Sequence, residues 1–208
     1  MGPHDWNVVV AASWNTAILT PAGVAQHLFQ LPPSTPVNLQ VPVDRLAPIR
    51  VGHEGCTVVV EAHQLIVGAD EPTFAALSTA CEVAARAVDY LPHTPFRAAG
   101  INVRCRYEQL PNELLALLEC GIDDHLANHE FTVDTREVRL SLALEAGGGL
   151  NVHLRETEPA SVLLNYHLDT TDGQALARWL QESPKWLPEH AASVAGALYL
   201  QFEERQDD

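Results

Sequence analysis

With 27 acidic against 12 basic residues, the 208-residue chain has a formal charge of −15, a poor match for nucleic-acid backbones, which need a basic surface to release their counterions. A hydrophobic fraction of 47% with 19% charged residues is that of a globular protein, and the apolar runs are far shorter than the roughly 20 residues needed to cross a bilayer. The opening Met1-Gly2-Pro3-His4-Asp5-Trp6 has no basic segment followed by an apolar stretch, so no export signal, no membrane and a cytoplasmic location are expected.

Asn7 to Trp14 (NVVVAASW) predicts a strand. The Pro-rich stretch from Pro21 to Pro48 contains one extended piece, Val37 to Val43, which Pro42 and Pro48 confine to an edge because proline cannot donate to a ladder. Cys56 to Glu61 and His63 to Val67 predict two strands of one antiparallel meander. Asp70-Glu71-Pro72 then reads as cap, first-turn acid and N1 proline of a helix whose apolar side carries Phe74, Leu77, Cys81, Ala84, Val88 and Leu91.

Pro92 and Pro95 end that helix, and Phe96 to Glu108 returns as a strand with Ile101, Val103, Cys105 and Tyr107 on one face and Asn102, Arg104, Arg106 and Glu108 on the other. A helix is expected from Pro111, stopping at Gly121 before a turn to His129. Glu137 to Glu145, Leu150 to Thr157 and Ser161 to Asp169 alternate strictly and predict a second meander. From Thr171 a helix is expected to break at Pro184, and a last one to run from Pro188 to about Glu204, packing through Val194, Leu198 and Phe202.

This order predicts an α+β fold built on antiparallel sheet, with two related halves, residues 1–95 and 96–208, sharing that sheet and the helices on one face. The run from Cys56 through Val67, the helix Pro72 to Tyr90, and Ala98-Ala99-Gly100-Ile101-Asn102-Val103-Arg104 resembles a widespread bacterial family of uncharacterised proteins. That family has a strand-strand-helix-strand unit followed by a C-terminal meander and helix. The resemblance implies a fold and carries no catalytic residues across.

The best candidate site is the polar sheet face. Apolar residues of a hairpin must share a face, so paired residue numbers across Gly147-Gly148-Gly149 sum to an even number. Setting Leu144 opposite Leu150 places Ser141 opposite His153 and Arg139 opposite Arg155. Two cations so opposed call for an anion between them. With Arg104 and Arg106 from the earlier strand and Asn102, Asn165, His153 and His167 nearby, this face could receive an acidic peptide or small anion. The competing reading is that Glu108, Glu137, Glu145 and Glu156 neutralise the arginines within the sheet.

Asp124, His125 and His129 form a weaker constellation. On one helix the two histidines would stand at i,i+4, a metal-ligand spacing, but no third ligand is evident and a helix-end role for the histidines competes. Cys56, Cys81, Cys105 and Cys120 include no C-x-x-C pair and read as buried thiols rather than nucleophiles. The glycine triplet lacks the Lys and Ser/Thr of a phosphate loop, and no G-x-S-x-G is present. Trp186, between Pro184 and Pro188, is the candidate interface residue. These features favour a non-enzymatic interaction protein, an adaptor, regulator or chaperone-like factor acting on another protein and forming a homodimer, with no cofactor. A hydrolase using Asp124, His125 and His129, with or without metal, is the alternative.

Overall fold

Strict in-out alternation dominates the chain. In β1 (Asn7–Ala12) Val8, Val10 and Ala12 are buried while Asn7, Val9 and Ala11 are half-buried, as expected of a strand covered on one face only. The computed structural model describes residues 6–42, 48–119, 121–145 and 147–200. The further strands are β2 (Asn38–Gln40), β3 (Arg50–His53), β4 (Cys56–Val60), β5 (Gln64–Ala69), β6 (Phe96–Tyr107), β7 (Glu137–Ala143), β8 (Gly149–Arg155) and β9 (Ala160–Asp169). They form one nine-stranded sheet in the order β2-β3-β4-β5-β1-β6-β9-β8-β7, antiparallel at every pairing.

The protein is therefore α+β. Its strand order is symmetric about the central β1/β6 pair: β5, β4 and β3 step outward on one side, and β9, β8 and β7 on the other. Each meander is followed by a long helix, α2 (Phe74–Tyr90) and α5 (Gly173–Ala197). The two helices pack together over one sheet face through Leu77, Cys81, Ala84 and Val88 of α2 and Leu176, Leu180 and Leu187 of α5. Burying one such leucine contributes about 1.5 to 3 kcal/mol. No helix among the described residues is long and apolar enough to cross a membrane.

Several local expectations are corrected. The cap of α2 is Thr73, whose hydroxyl accepts from the Ala76 amide at 3.2 Å, because Asp70 is already engaged, accepting from the Thr57 hydroxyl at 2.8 Å. The Pro-rich region contains, besides the short β2, a helical turn, α1 (Pro21–Gly23), that continues as a π-helix over Val24–Leu28, and β3 follows it. Gly121 begins a helix rather than ending one: α3 (Asn112–Leu118) stops where Glu119 turns extended, and α4 (Gly121–Ala127) follows.

No break occurs at Pro184, and α5 runs unbroken through both prolines. An interior proline costs about 3 kcal/mol, and the buried stripe of Leu176, Leu180, Leu187, Ala191 and Ala195 outweighs it. Ser183 is fully buried there and donates its hydroxyl to the Trp179 carbonyl at 2.7 Å. Phe202 and Glu204 lie outside the described residues.

Candidate functional site: the open face of the sheet

Opposite residues in an antiparallel sheet project to the same side, so the pairings assemble rows across the face that α2 and α5 leave uncovered. One row runs Asn7, Asn102, Asn165, Asn151, Ser141 through β1, β6, β9, β8 and β7. Its side chains bond in series. Ser141 donates to Asn151 at 2.8 Å, Asn151 to Asn165 at 3.2 Å, Asn165 to Asn102 at 2.8 Å and Asn102 to Asn7 at 2.8 Å. An amide suits this position because it donates and accepts at once. Asn102 and Asn165 were expected on this face, but the ladder itself could not be read from sequence, because it depends on the alignment of strands far apart in the chain.

Two further rows hold the expected basic residues. Arg104, Leu163, His153 and Arg139 form one, and Arg106, Ser161, Arg155 and Glu137 the other. The expected opposition of Arg139 and Arg155 is not found. The β7/β8 pairing has the even sum that keeps the leucines on one face, yet it is displaced by two residues: Leu142 meets Leu150, Arg139 meets His153 and Glu137 meets Arg155. Gly148 lets the turn lie against β9. It sits at φ +89, and a side chain there would run into the backbone carbonyl of His167, so only glycine can bring the turn so close to β9.

Glu137 is the anion among these cations. It accepts from Arg139 Nε at 2.8 Å, and His153 Nε2 lies against the same carboxylate oxygen. The Arg139 hydrogen bond, more than any other influence, holds the Glu137 carboxyl below the ordinary carboxylate value. Glu156 engages Arg136 at 3.0 Å, which also binds Asp123 at 3.1 Å, tying α4 to the sheet. The hydrogen bonds that Arg136 donates to Glu156 and then to Asp123 raise its guanidinium above the usual value. Neutralisation is thus partial. Arg106 and Arg155 are exposed and form no ion pair among the described residues.

His167 lies between Gly100 and Gly149 on its two neighbouring strands. Its ring covers Gly149, where a Cβ would approach Cε1 to 2.7 Å. Its Nδ1 is 3.4 Å from the Asn151 amide nitrogen and its Nε2 3.7 Å from Asp169. The histidine therefore belongs to the amide row rather than to the arginine corner.

Asp124, His125 and His129 do not converge. Asp124 lines a cavity of about 650 Å³ with Glu119, Asp123, Phe131 and Arg136, whereas neither histidine does. His129 falls in the turn beyond α4, and the two exposed imidazoles stand 6.5 Å apart between centroids. Among the described residues no group of three His, Cys, Asp or Glu side chains could hold a metal ion.

Burial pushes the Cys56 thiol up to about 11, Cys81 to about 12 and Cys105 to about 11, so these three are protonated at neutral pH. Cys120 lies outside the described residues. Trp186 sits within the continuous α5 instead of a helix break, half-buried, its ring edge-on to Tyr166 at 5.6 Å.

No protein-family model matches the chain, and no curated protein matches it.

Proposed function

We propose that this is a non-enzymatic interaction protein, an adaptor, regulator or chaperone-like factor of the cytoplasm, that binds an acidic segment of another protein on the open face of its sheet. One observation carries the reading. In a chain of formal charge −15, the rows of Arg104, Arg106, Arg139, Arg155 and His153 gather basic side chains on one face, and the exposed Arg106 and Arg155 have no ion-pair partner among the described residues. A guanidinium fork suits a carboxylate in geometry as well as charge. The separation of Asp124 from His125 and His129 and the protonated state of the three thiols weigh against the hydrolase alternative.

The test is a fluorescence-anisotropy titration with a labelled glutamate-rich peptide at low and moderate salt, against a lysine-rich control. Wild type is expected to bind the acidic peptide, more weakly as salt rises, and the double variant Arg106→Gln/Arg155→Gln to lose about tenfold in affinity. Equal binding of both peptides, or an unaffected double variant, would sink the reading.

A further inference from the structure

The two edges of the sheet are built differently. β2 spans only three residues and is flanked by Pro36 and Pro42, and short edges bounded by proline resist the addition of another strand. β7 spans seven residues, Glu-Val-Arg-Leu-Ser-Leu-Ala, with no proline, lysine or bulge. Its only charges, Glu137 and Arg139, both lie on the open side.

Its backbone is arranged to receive a strand. The Glu156 amide bonds the Arg136 carbonyl at 2.9 Å, and the Leu144 amide the Gly148 carbonyl at 3.3 Å. Both pairs belong to the β7/β8 register, so the even-numbered residues direct their backbone groups toward β8. Antiparallel pairing alternates. The N–H and C=O groups of Glu137, Arg139, Ser141 and Ala143 therefore point outward from the sheet edge.

The side chains of β7 add a two-sided signature. On the helix side Leu140 and Leu142 are 44% and 45% exposed, while their β8 partners Val152 and Leu150 are 2% and 0% exposed. The helix layer ends at β8 and leaves the leucines uncovered. On the open side Arg139 is exposed, with Arg155 one strand further in. We propose that β7 is a docking edge for an extended segment of a different protein that alternates apolar residues, covering Leu140 and Leu142, with acidic residues facing Arg139 and Arg155.

This deepens the proposed function and rests on it: the acidic segment is placed as a tenth strand rather than loosely across the face. Charge selects the occupant. A second copy paired through β7 would bring Glu137 as well as Arg139 to the same outer face, whereas an acidic strand sets carboxylates against both Arg139 and Arg155.

The test uses a labelled seven-residue peptide alternating Val and Glu, with Val/Lys and Ala/Glu peptides as controls, on the full chain. Ser141→Pro is the decisive variant. It removes an outward-pointing N–H and leaves the β8 ladder its donors, a position where an edge strand tolerates proline. Leu140→Asp tests the apolar side independently should that variant not fold.

The expected result is binding of the Val/Glu peptide, about tenfold weaker for either control and about tenfold weaker for Ser141→Pro or Leu140→Asp, with amide exchange slowed in β7. If the Arg106→Gln/Arg155→Gln variant loses acidic-peptide binding while Ser141→Pro and Leu140→Asp keep it, the edge inference is overturned and the open-face reading survives. Failure of every acidic peptide overturns both. A wild-type dimer abolished by Ser141→Pro would replace the acidic partner with a second copy.

Discussion

The side-chain amide of Asn102 donates to Asn7 Oδ1 at 2.8 Å across the two central strands. Its own oxygen accepts from Asn165 at 2.8 Å, so one side chain joins the two halves of the sheet on the uncovered face. Asn102→Ala deletes both bonds in a half-buried position and should cost about 1 to 2 kcal/mol. Asn102→Asp should cost more, because a carboxylate cannot donate to Asn7. Urea denaturation of the two variants checks the order, and an alanine variant as stable as wild type would show the ladder to be ornamental.

Leu180 and Leu140 separate structural from recognition leucines. Leu180 is 0% exposed at the α2/α5 contact, and Leu180→Ala should destabilise by about 2 to 5 kcal/mol. Leu140 is 44% exposed on the edge strand, and Leu140→Ala should change stability by less than about 1 kcal/mol. Thermal unfolding of the two variants side by side supplies the comparison. A large loss from Leu140→Ala would mean that the edge leucines already have cover.

The thiols predict an alkaline limit. Cys56, Cys81 and Cys105 have folded-state values of about 11, about 12 and about 11 against an ordinary 9.0. A raised value stabilises the protonated form, so this contribution is complete below about pH 9 and is lost as pH rises toward the folded values. Stability measured from pH 8 to 11 should fall accordingly. Iodoacetamide at pH 7.5 should leave these three residues unmodified in native protein and alkylate them in urea, as site-resolved mass spectrometry would reveal. Rapid native alkylation of any one of them would reopen a nucleophilic role.

Glu137 predicts the opposite limit. Its carboxyl is lowered chiefly by the Arg139 hydrogen bond, so the stabilisation is present above the ordinary carboxylate value and disappears as pH falls through the lowered one. Carboxyl NMR shifts followed through acid titration report that value directly. Glu137→Gln should leave stability close to that of wild type and strengthen acidic-peptide binding by about two- to tenfold by unmasking Arg139. Weaker binding in this variant would mean that Glu137 organises the site instead of opposing it.

Alternation revealed which residues share a face almost everywhere, because a buried side chain at every second position has no other periodic explanation. The displacement of β7 against β8 was invisible for the same reason: Leu140, Leu142 and Leu144 are interchangeable at steps of two, so any even sum satisfies burial. The close approach of Gly148 to His167 was hidden too, because the hairpin pattern does not mention β9. Proline misled at α5 through local propensity that tertiary packing overrode. At the site, the arginines were legible as a polar phase, whereas the amide row and the bare edge depend on which strands lie side by side.

The central position of β1 has a consequence for how the chain folds. One side of β1 can pair once β5 has been synthesised, but the other waits for β6, with Asn7 and Asn102 separated by 95 positions. The innermost strand is thus made before both of its neighbours, and one of its edges stays open until β6 follows. Such distant pairing favours folding in milliseconds to seconds over microseconds. Until β6 arrives on the ribosome, the nascent chain carries a Val-rich strand with one side open, a template for mispairing.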